Sequence, residues 1–232
     1  MQKYQIKLFF SSKTDGNLAF HVNDAKESVI QNHQVLAQKL GYDFNKLVHM
    51  KQIHSDIVHR VTDADNFNNP PTCDALVTNK KHIPLMVMVA DCTPVILHDS
   101  KNGVIAVAHV GRAGAFKNIL KNTLNVMLKY FNTNIKDIYI TIGPSIGSCC
   151  YEVGSEIVDE VKKLHLTYAI EKKEKKTYLD IAKIIHRQLN EQGISIDHII
   201  ESNECNCCKK EKYFSYRASP KTGRFTGVVY LI

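Results

Sequence analysis

The stretch MVMVADCTPVILHDSKNGVIAVAHVGR, residues 86–112, decides the fold. It contains three short runs rich in Val and Ile, each the length of a β-strand. Two of these runs end at a chemically active side chain, because Cys92 follows the first and His109 closes the third. Buried strands hold the residues at their ends rigidly. The stretch therefore predicts a group of strands that presents Cys92 and His109 as candidate site residues.

Further strands and helices are predicted on both sides of this stretch. Strands are expected at residues 4–10, 47–52, 57–61, 75–78, 85–90, 94–98, 104–109, 137–142, 197–201 and 225–231. Helices are expected to end at Gly41, to begin near Ala115, and to cover residues 155–164 and 178–190. The strands come in adjacent runs with helices between the runs, which favours an α+β fold over a doubly wound α/β fold. Because no polar linker divides the chain, we expect one domain over residues 1–232.

Composition limits the classes of protein that the chain can represent. With 232 residues, 44% of them hydrophobic, the chain is long enough to bury a sizeable core. The first seven residues lack the apolar core of a signal peptide, and no apolar run is long enough to span a bilayer, so we expect a cytoplasmic protein without a membrane partner. The net charge of +7 suits an anionic ligand, but no basic and aromatic motif supports nucleic-acid binding.

Three residues that follow or interrupt strands are candidate metal ligands. His54 lies in the break between two predicted strands, and Cys92 and His109 each end one. Zinc takes Cys sulfur and His nitrogen, and a catalytic zinc keeps one coordination position open. If the strands are neighbours, the three side chains could converge. Spacing alone, however, favours a simpler interpretation, in which Cys92 is a core residue and the histidines belong to loops.

The chain has seven cysteines, and five of them lie in two short segments, residues 149–150 and 205–208. The odd total, in a chain without a signal peptide, favours thiols or metal ligands over disulfides. Cys205 and Cys208 have C-x-x-C spacing, which fits a structural zinc site, a redox pair or inert thiols. The sequence does not choose among these roles. The H-x-E and P-C-x-x-C signature of zinc deaminases does not occur, and neither does a Walker loop or G-x-S-x-G.

Several short motifs, considered together, resemble one known family, the laccase-domain or multicopper polyphenol oxidase-like proteins. That family is now regarded as purine nucleoside phosphorylases and includes bacterial proteins implicated in peptidoglycan editing. The matching stretches keep the order and spacing of the family over nearly the whole chain. They are KQIHSDIV (51–58), CDALVTN (73–79), ADCTPV (90–95), AHVG (108–111), GPSIG (143–147), YEVG (151–154), YFSYR (213–217) and TGR (222–224).

The resemblance implies an α+β fold, a single domain of two mixed β-sheets with flanking helices, related to a cysteine-hydrolase toxin (CNF-toxin-like) fold. It implies zinc held by His54, Cys92 and His109, which would also be the catalytic residues. It further implies phosphorolysis of adenosine, inosine, guanosine and methylthioadenosine, together with adenosine deamination. Purine nucleosides and phosphate are then the expected binding partners. Copper is the weaker alternative cofactor, because a multicopper oxidase needs close-set histidines and the chain has no His-x-His.

The candidate substrate-binding residues include positions where the chain departs from the family pattern. The family usually has His-x-Gly-Trp-Arg-Gly after the third strand, whereas this chain has Arg112 at the Trp position. Lys13 replaces an arginine that the family usually carries in its N-terminal loop. We expect Lys13, Arg112 and Arg217 to face phosphate, with Asn17 nearby; a glycine turn before Arg112 would also suit an anion at a helix N-terminus.

Other functions fit parts of the same sequence. Cys92 could instead be the nucleophile of an amide hydrolase that edits a peptidoglycan precursor, with His54 or His109 as its base. A copper-dependent phenol oxidase is a further enzymatic alternative. A binding module stabilised by a metal at Cys149, Cys150, Cys205 and Cys208 is the alternative outside enzymes. Asp74 or Asp91 could orient a ligand imidazole or carry a proton, or could simply form turns.

Overall fold

Two β-sheets, built from the apolar runs of the sequence, form the centre of the computed structural model, which describes residues 4–232. The strands are β1 Ile6–Phe10, β2 Val58–Arg60, β3 Ala75–Thr78, β4 Leu85–Val89, β5 Thr93–Asp99, β6 Val104–Val110, β7 Tyr139–Ile142, β8 Ile170–Lys173, β9 Lys176–Leu179, β10 Ile199–Glu201 and β11 Phe225–Leu231. The helices are α1 Lys26–Leu40, α2 Arg112–Phe116, α3 Ile119–Phe131, α4 Ser155–Lys163 and α5 Ile181–Glu191. Residues 1–3, part of the N-terminal segment that was considered for a signal peptide, lie outside the described residues.

The larger sheet has six strands in the order β10-β7-β5-β6-β3-β2. It is mixed, because β10 pairs with β7 and β2 with β3 in parallel, whereas the central pairs are antiparallel. The smaller sheet has the antiparallel order β1-β11-β4, and β8 and β9 form a separate hairpin. The predicted α+β fold with two principal sheets is confirmed.

The sheets and helices stack in four layers. One face of the six-stranded sheet, including Leu76 and Ile96, packs against the three-stranded sheet in a buried apolar cluster. Its other face packs against α3 and α5. Helix α1 covers the outer face of the small sheet through Leu36. Because the central strands are buried on both faces, β4 is wholly apolar and β6 is apolar apart from His109, so neither alternates with polar residues.

Several predicted elements differ in the structure. The strand predicted at residues 47–52 is wrong: only isolated bridges form at Val48 and Lys51, and Gln52 instead donates to and accepts from the Met88 backbone through its side chain. The helix predicted to begin near Ala115 is two helices, because Asn118 takes a left-handed conformation (φ 56°) between them and caps α3.

The helix predicted over residues 178–190 begins later than expected. The Asp180 carboxylate accepts from the Lys183 backbone N–H and so fixes the N-terminus of α5. Residues before that cap are free to pair as β9 with β8, a hairpin that the sequence analysis did not anticipate. Within residues 4–232, no helix combines the length and apolar character that crossing a bilayer requires.

Candidate active site

The ends of adjacent strands bring Cys92 and His109 together. Cys92 lies in the turn between β4 and β5, and His109 is near the end of β6. Antiparallel pairing sets Pro94 of β5 opposite His109. Cys92, two residues before Pro94, therefore lies just beyond the end of this strand pair. His54 arrives from the loop that precedes β2, an edge strand of the same sheet. The register of one sheet therefore gathers residues that are distant in sequence.

The three side chains form a compact group of metal-ligating atoms. One ligand atom from each of His54, Cys92 and His109 lies within 4.8 Å of the other two. The Cys92 Sγ is 3.9 Å from the His54 Nε2, and the two imidazole rings are 4.8 Å apart, edge to face. The structure thus brings together the three residues that the resemblance implies as ligands.

A buried carboxylate organises two members of this group. The Asp74 Oδ1 lies 2.8 Å from the His109 Nδ1, so the imidazole presents its Nε2 side toward Cys92. The same carboxylate accepts the backbone N–H groups of Ile53, His54 and Ser55, and the Ser55 hydroxyl. These contacts hold His54 in a left-handed conformation (φ 59°), which is unusual for a residue with a side chain. Of the two aspartates considered as orienting groups, Asp74 is the one in contact with a ligand imidazole.

Asp91, the other aspartate, holds a neighbouring loop. Its carboxylate accepts from the side chains of Asn206 and Ser215 and from the backbone N–H of Arg217, at 2.7–3.0 Å. Its own backbone has φ 92°, in the left-handed region. Asp91 therefore fixes residues 206–217 beside the turn that carries Cys92.

Gly111 lets the backbone pass close to the group of ligands. A Cβ at this position would lie 2.8 Å from the Cys92 Sγ and 3.3 Å from the His54 Cδ2. Carbon and sulfur cannot approach that closely, so a side chain at this position would displace the ligands. Glycine is required at position 111 for steric reasons and not for backbone conformation, because a φ of −81° suits any residue.

The electrostatics of the group favour a thiolate beside a protonated imidazole when no metal is bound. Burial raises the pKa of Cys92, but the charges and hydrogen bonds of His109 and His54 outweigh it, and the pKa lies below its ordinary value. Burial lowers the pKa of His109, but Cys92 and Asp74 outweigh it and raise that pKa. For Asp74, burial is outweighed by hydrogen bonds from His109 and Ser55, which hold its pKa well below the usual range. A thiolate is the form of cysteine that binds metal.

The donor set fits a zinc ion with an open coordination position. Two imidazoles and one thiolate are ligands that zinc prefers, and three protein ligands are typical of catalytic sites. Contact between Asp74 and the far nitrogen of His109 is the usual arrangement behind a metal-bound histidine. The donor atoms leave the identity of the metal open.

The ligand group lies in the wall of a cavity of about 450 Å³. This volume falls in the range of small-molecule sites. Much of the lining is apolar or aromatic, and three arginines add positive charge. The apolar, aromatic and arginine side chains of the lining include Met88, Ile146, Tyr151, Tyr216, Arg112, Arg217 and Arg224.

The three arginines have different partners. Arg112, at the first position of α2, forms an ion pair with Glu160. The Arg217 Nη1 donates to the carbonyls of Cys150 and Glu152, and its guanidinium lies 5.3 Å from the centre of the Tyr151 ring. Arg224 donates to the carbonyls of Thr222 and Gly223. Among the described residues, neither Arg217 nor Arg224 forms an ion pair with a carboxylate.

Two of the predicted substrate-binding residues do not line this cavity. Lys13 donates to the Lys210 carbonyl and lies 5.6 Å from the centre of the Phe214 ring. Asn17 is buried, and its side chain bonds to Ala19, Asp24 and the Arg224 backbone N–H. Asn17 thus supports the segment that carries Arg224, whereas Arg112 and Arg217 line the cavity itself.

Sequence reasoning did not select His21, Gln52, Tyr151 or Arg224, all of which line the cavity. Three of them lie in stretches that matched the family, KQIHSDIV, YEVG and TGR, so position in a shared motif was the available signal. His21 has no such signal, because it comes from a loop outside the matched stretches. Burial and the nearby Arg224 lower the pKa of His21.

Comparison with known proteins finds relatives of the chain both by sequence and by structure. It is 35% identical to a Corynebacterium glutamicum protein named purine nucleoside phosphorylase Cgl2154/cg2365, covering 93% of this chain and 86% of that protein. It is 33% identical to a protein named adenosine deaminase RL5, from an unknown prokaryotic organism, covering 91% and 86%. YlmD from Geobacillus stearothermophilus superposes with a TM-score of 0.88 at 26% identity, covering 97% of this chain and 91% of its own.

The family model described as multi-copper polyphenol oxidoreductase laccase matches residues 10–232, nearly the whole chain. The match includes His54, Cys92 and His109, and it confirms the resemblance seen in the sequence motifs. The chain therefore belongs to the multi-copper polyphenol oxidoreductase laccase family.

Proposed function

We propose that this protein is a zinc-dependent purine nucleoside phosphorylase that also deaminates adenosine. Adenosine, inosine, guanosine and methylthioadenosine are the proposed nucleosides, with phosphate as co-substrate, and residues 1–232 act as one domain. The observation that carries the proposal is the convergence of His54, Cys92 and His109 in the wall of a cavity that also presents arginines. The names of the relatives, purine nucleoside phosphorylase and adenosine deaminase, support the substrate class.

His54, Cys92 and His109 would hold the zinc ion. When bound, zinc would supply Lewis-acid polarisation of a water or substrate oxygen. Asp74 keeps the His109 imidazole in the tautomer whose Nε2 can bind metal, because its carboxylate accepts from Nδ1. Gly111 leaves the space that the Cys92 sulfur and the His54 ring occupy.

The cavity walls offer separate surfaces for the base and for phosphate. Met88, Ile146, Tyr151 and Tyr216 provide apolar and aromatic surface on which a purine can pack. Arg217 and Arg224 donate to backbone carbonyls, so their positive charges stay available to an anion. Arginine binds phosphate through paired N–H donors. In this arrangement the phosphate is held near the ribose as the base departs, and closeness of the reactants lowers the barrier.

Two alternative enzymatic functions use the same residues differently. An amide hydrolase acting on a peptidoglycan precursor would use the Cys92 thiolate as nucleophile and His109 as proton donor to the leaving group. The depressed pKa of Cys92 favours this possibility, although the same thiolate also favours metal binding. Copper-dependent phenol oxidation is disfavoured, because the groups of converging donors within residues 4–232 are this trio and a set of cysteines.

Product analysis with adenosine tests the proposal. Purified protein of measured metal content is incubated with adenosine, with and without phosphate. We expect adenine and ribose-1-phosphate only when phosphate is present, and inosine in both cases. Cys92→Ala is expected to lose both activities, whereas Cys207→Ser, which removes a thiol outside the cavity, keeps them. Metal-loaded protein that yields none of these products would contradict the proposal, and cleavage of a cell-wall amide in their place would favour the hydrolase.

A further inference from the structure

A second group of metal-ligating atoms lies outside the catalytic trio. Cys149 and Cys150 lie in the loop that follows β7, and Cys205 and Cys208 lie in the loop that follows β10. One sulfur from each of the four cysteines lies within 4.8 Å of the other three. All four are free thiols in the structure. Because β7 and β10 are parallel neighbours, their carboxyl-terminal ends lie side by side, and the two loops that follow them meet there.

The spacing of the sulfurs fits tetrahedral coordination of one ion. The Cys208 Sγ is 3.4 Å from the Cys149 Sγ and 3.4 Å from the Cys150 Sγ. In a tetrahedral tetrathiolate with Zn–S bonds of about 2.3 Å, neighbouring sulfurs are roughly 3.8 Å apart. One sulfur equally distant from two others does not single out a disulfide partner. A set of four cysteine sulfurs at this spacing is the arrangement typical of a zinc or iron site.

The backbone around Cys205 is arranged for charged sulfur. The Gly147 N–H donates to the Cys205 Sγ at 3.3 Å, and the backbone N–H of Cys208 faces the same sulfur. N–H donors stabilise a thiolate. A Cβ on Gly147 would lie 3.3 Å from the Cys149 Sγ and 3.6 Å from the Cys205 Cβ, so the glycine allows the two loops to close around the sulfurs.

We propose that Cys149, Cys150, Cys205 and Cys208 bind a structural zinc ion as a tetrathiolate, distinct from the ion held by His54, Cys92 and His109. Binding forms four Zn–S bonds, and the four thiols lose their protons to solvent. All four positions are filled by protein, which is typical of a structural site and leaves none for substrate. The assignment does not depend on the proposed nucleoside chemistry.

The position of the cluster gives it a role in shaping the cavity. Ile146, in the cavity wall, donates its backbone N–H to the Asp91 carbonyl, and the Ser145 backbone pairs with the segment around Cys205. On the other loop, Asn206 donates to the Asp91 carboxylate. The Arg217 guanidinium donates to the Cys150 carbonyl. An ion that joins the two loops therefore holds the cavity wall next to Cys92.

Metal content separates the two sites. Protein purified without chelators is expected to contain about two equivalents of zinc per chain, and Cys92→Ala about one. Cys205→Ser combined with Cys208→Ser removes the other equivalent. Cys207→Ser is the matched control, because Cys207 lies in the same loop but outside the group of four sulfurs, and it is expected to keep both.

Cobalt substitution identifies the ligands even if the double variant fails to fold. The Cys92→Ala protein reconstituted with Co²⁺ is expected to show the intense sulfur-to-cobalt charge-transfer and d–d bands of a tetrathiolate. Mass spectrometry of the same protein should show no disulfide. Cys92→Ala protein without bound metal, a cobalt spectrum without thiolate bands, a disulfide among these cysteines, or iron in place of zinc would overturn the proposal. Because none of these readouts is nucleoside turnover, failure here is distinguishable from failure of the proposed function.

Discussion

The Asp74 carboxylate lies 2.8 Å from the Nδ1 of His109 and also accepts the backbone N–H groups of residues 53–55. One buried residue therefore orients one candidate ligand and fixes the loop that carries another. Removing its charge should disturb the whole site without filling or blocking the cavity.

Asp74→Asn is expected to weaken zinc binding about 10–100-fold, because partners behind a metal-bound histidine contribute about that much to affinity. The measurement is a competition titration with a chelator of known affinity. Asp99→Asn is the matched control, since Asp99 is also fully buried and accepts backbone N–H groups, but in the β5–β6 hairpin. Equal zinc affinity in the Asp74 variant and the wild type would contradict the role assigned to Asp74.

Gly111→Ala should damage the ligand group by steric contact. The new Cβ would lie 2.8 Å from the Cys92 Sγ, and overpacking of this kind costs about 1–3 kcal/mol. We therefore expect zinc affinity to fall about tenfold or more, a factor that corresponds to ~1.4 kcal/mol.

Gly154→Ala provides a close control for that substitution. Gly154 also precedes a helix and has nearly the same backbone angles, φ −83° and ψ 177° against −81° and −179° for Gly111. The atoms nearest to its Cβ would be those of the Glu156 carboxylate, at the end of a flexible side chain that can move aside. The steric account would be wrong if both alanine variants lost zinc equally, or if neither did.

Arg112→Met tests whether Arg112, which stands where the family usually has Trp, binds phosphate. Loss of a charged hydrogen bond costs about 1.5–3 kcal/mol, so the KM for phosphate should rise at least about tenfold, with a smaller change in the KM for adenosine. Glu160→Gln removes the carboxylate that pairs with Arg112 and should shift the KM for phosphate in the opposite direction.

Arg187→Met is the control for Arg112. Arg187 is an exposed arginine of α5 paired with Glu191, outside the cavity. Initial rates at varied phosphate, with adenosine saturating, give the KM for phosphate of the Arg112, Glu160 and Arg187 variants. An unchanged KM for phosphate in the Arg112 variant would exclude Arg112 as a phosphate ligand and leave Arg217 and Arg224.

Buried His33 makes folding stability depend on pH. Burial lowers the pKa of His33 to about 4, against 6.5 when unfolded, although its Nε2 bonds to the Leu18 carbonyl. The unfolded chain therefore binds a proton between pH 6.5 and 4 that the folded chain excludes. The contribution of neutral His33 to the free energy of unfolding is fully present above pH 6.5. It falls by about 1.4 kcal/mol per pH unit as the pH drops through this window.

Urea unfolding at several pH values measures this effect. His33→Gln should flatten the loss of stability between pH 6.5 and 4, although it lowers stability at neutral pH. His165→Gln, at an exposed histidine, should leave the slope unchanged. Parallel pH profiles for the wild type and the His33 variant would show that another group is responsible.

The central strands could be predicted because their apolar runs are long and are broken by turns. The pair of β5 and β6 around the Asn102-Gly103 turn is the clearest example. Residues 47–52 also contain apolar side chains but form only isolated bridges, and the Gln52 side chain takes over backbone bonds of Met88. The start of α5 depends on which of several polar residues serves as the cap, and periodicity does not distinguish Asp180 from its neighbours.

The positions of the ligand trio in the sequence made it a candidate metal site, but only the family motifs favoured that site over a simpler interpretation. His54, Cys92 and His109 are far apart along the chain, and the register between β5 and β6 and the Asp74 contacts bring them together. His21 and Arg224 reach the cavity from loops whose course is set by tertiary contacts, such as the bond from the Arg224 N–H to Asn17. Local sequence does not encode such contacts, so the position of Arg224 in a shared motif was its one signal and His21 had none.

The most direct test of the central claim follows zinc binding and turnover in one sample. Zinc is added stepwise to protein whose His54–Cys92–His109 site has been emptied by a mild chelator, and bound metal and phosphate-dependent adenosine cleavage are measured at each step. The account predicts that cleavage rises in proportion to occupancy of this site and that Cys92→Ala shows no such rise. Full cleavage before any zinc is added, or no cleavage at full occupancy, would contradict it.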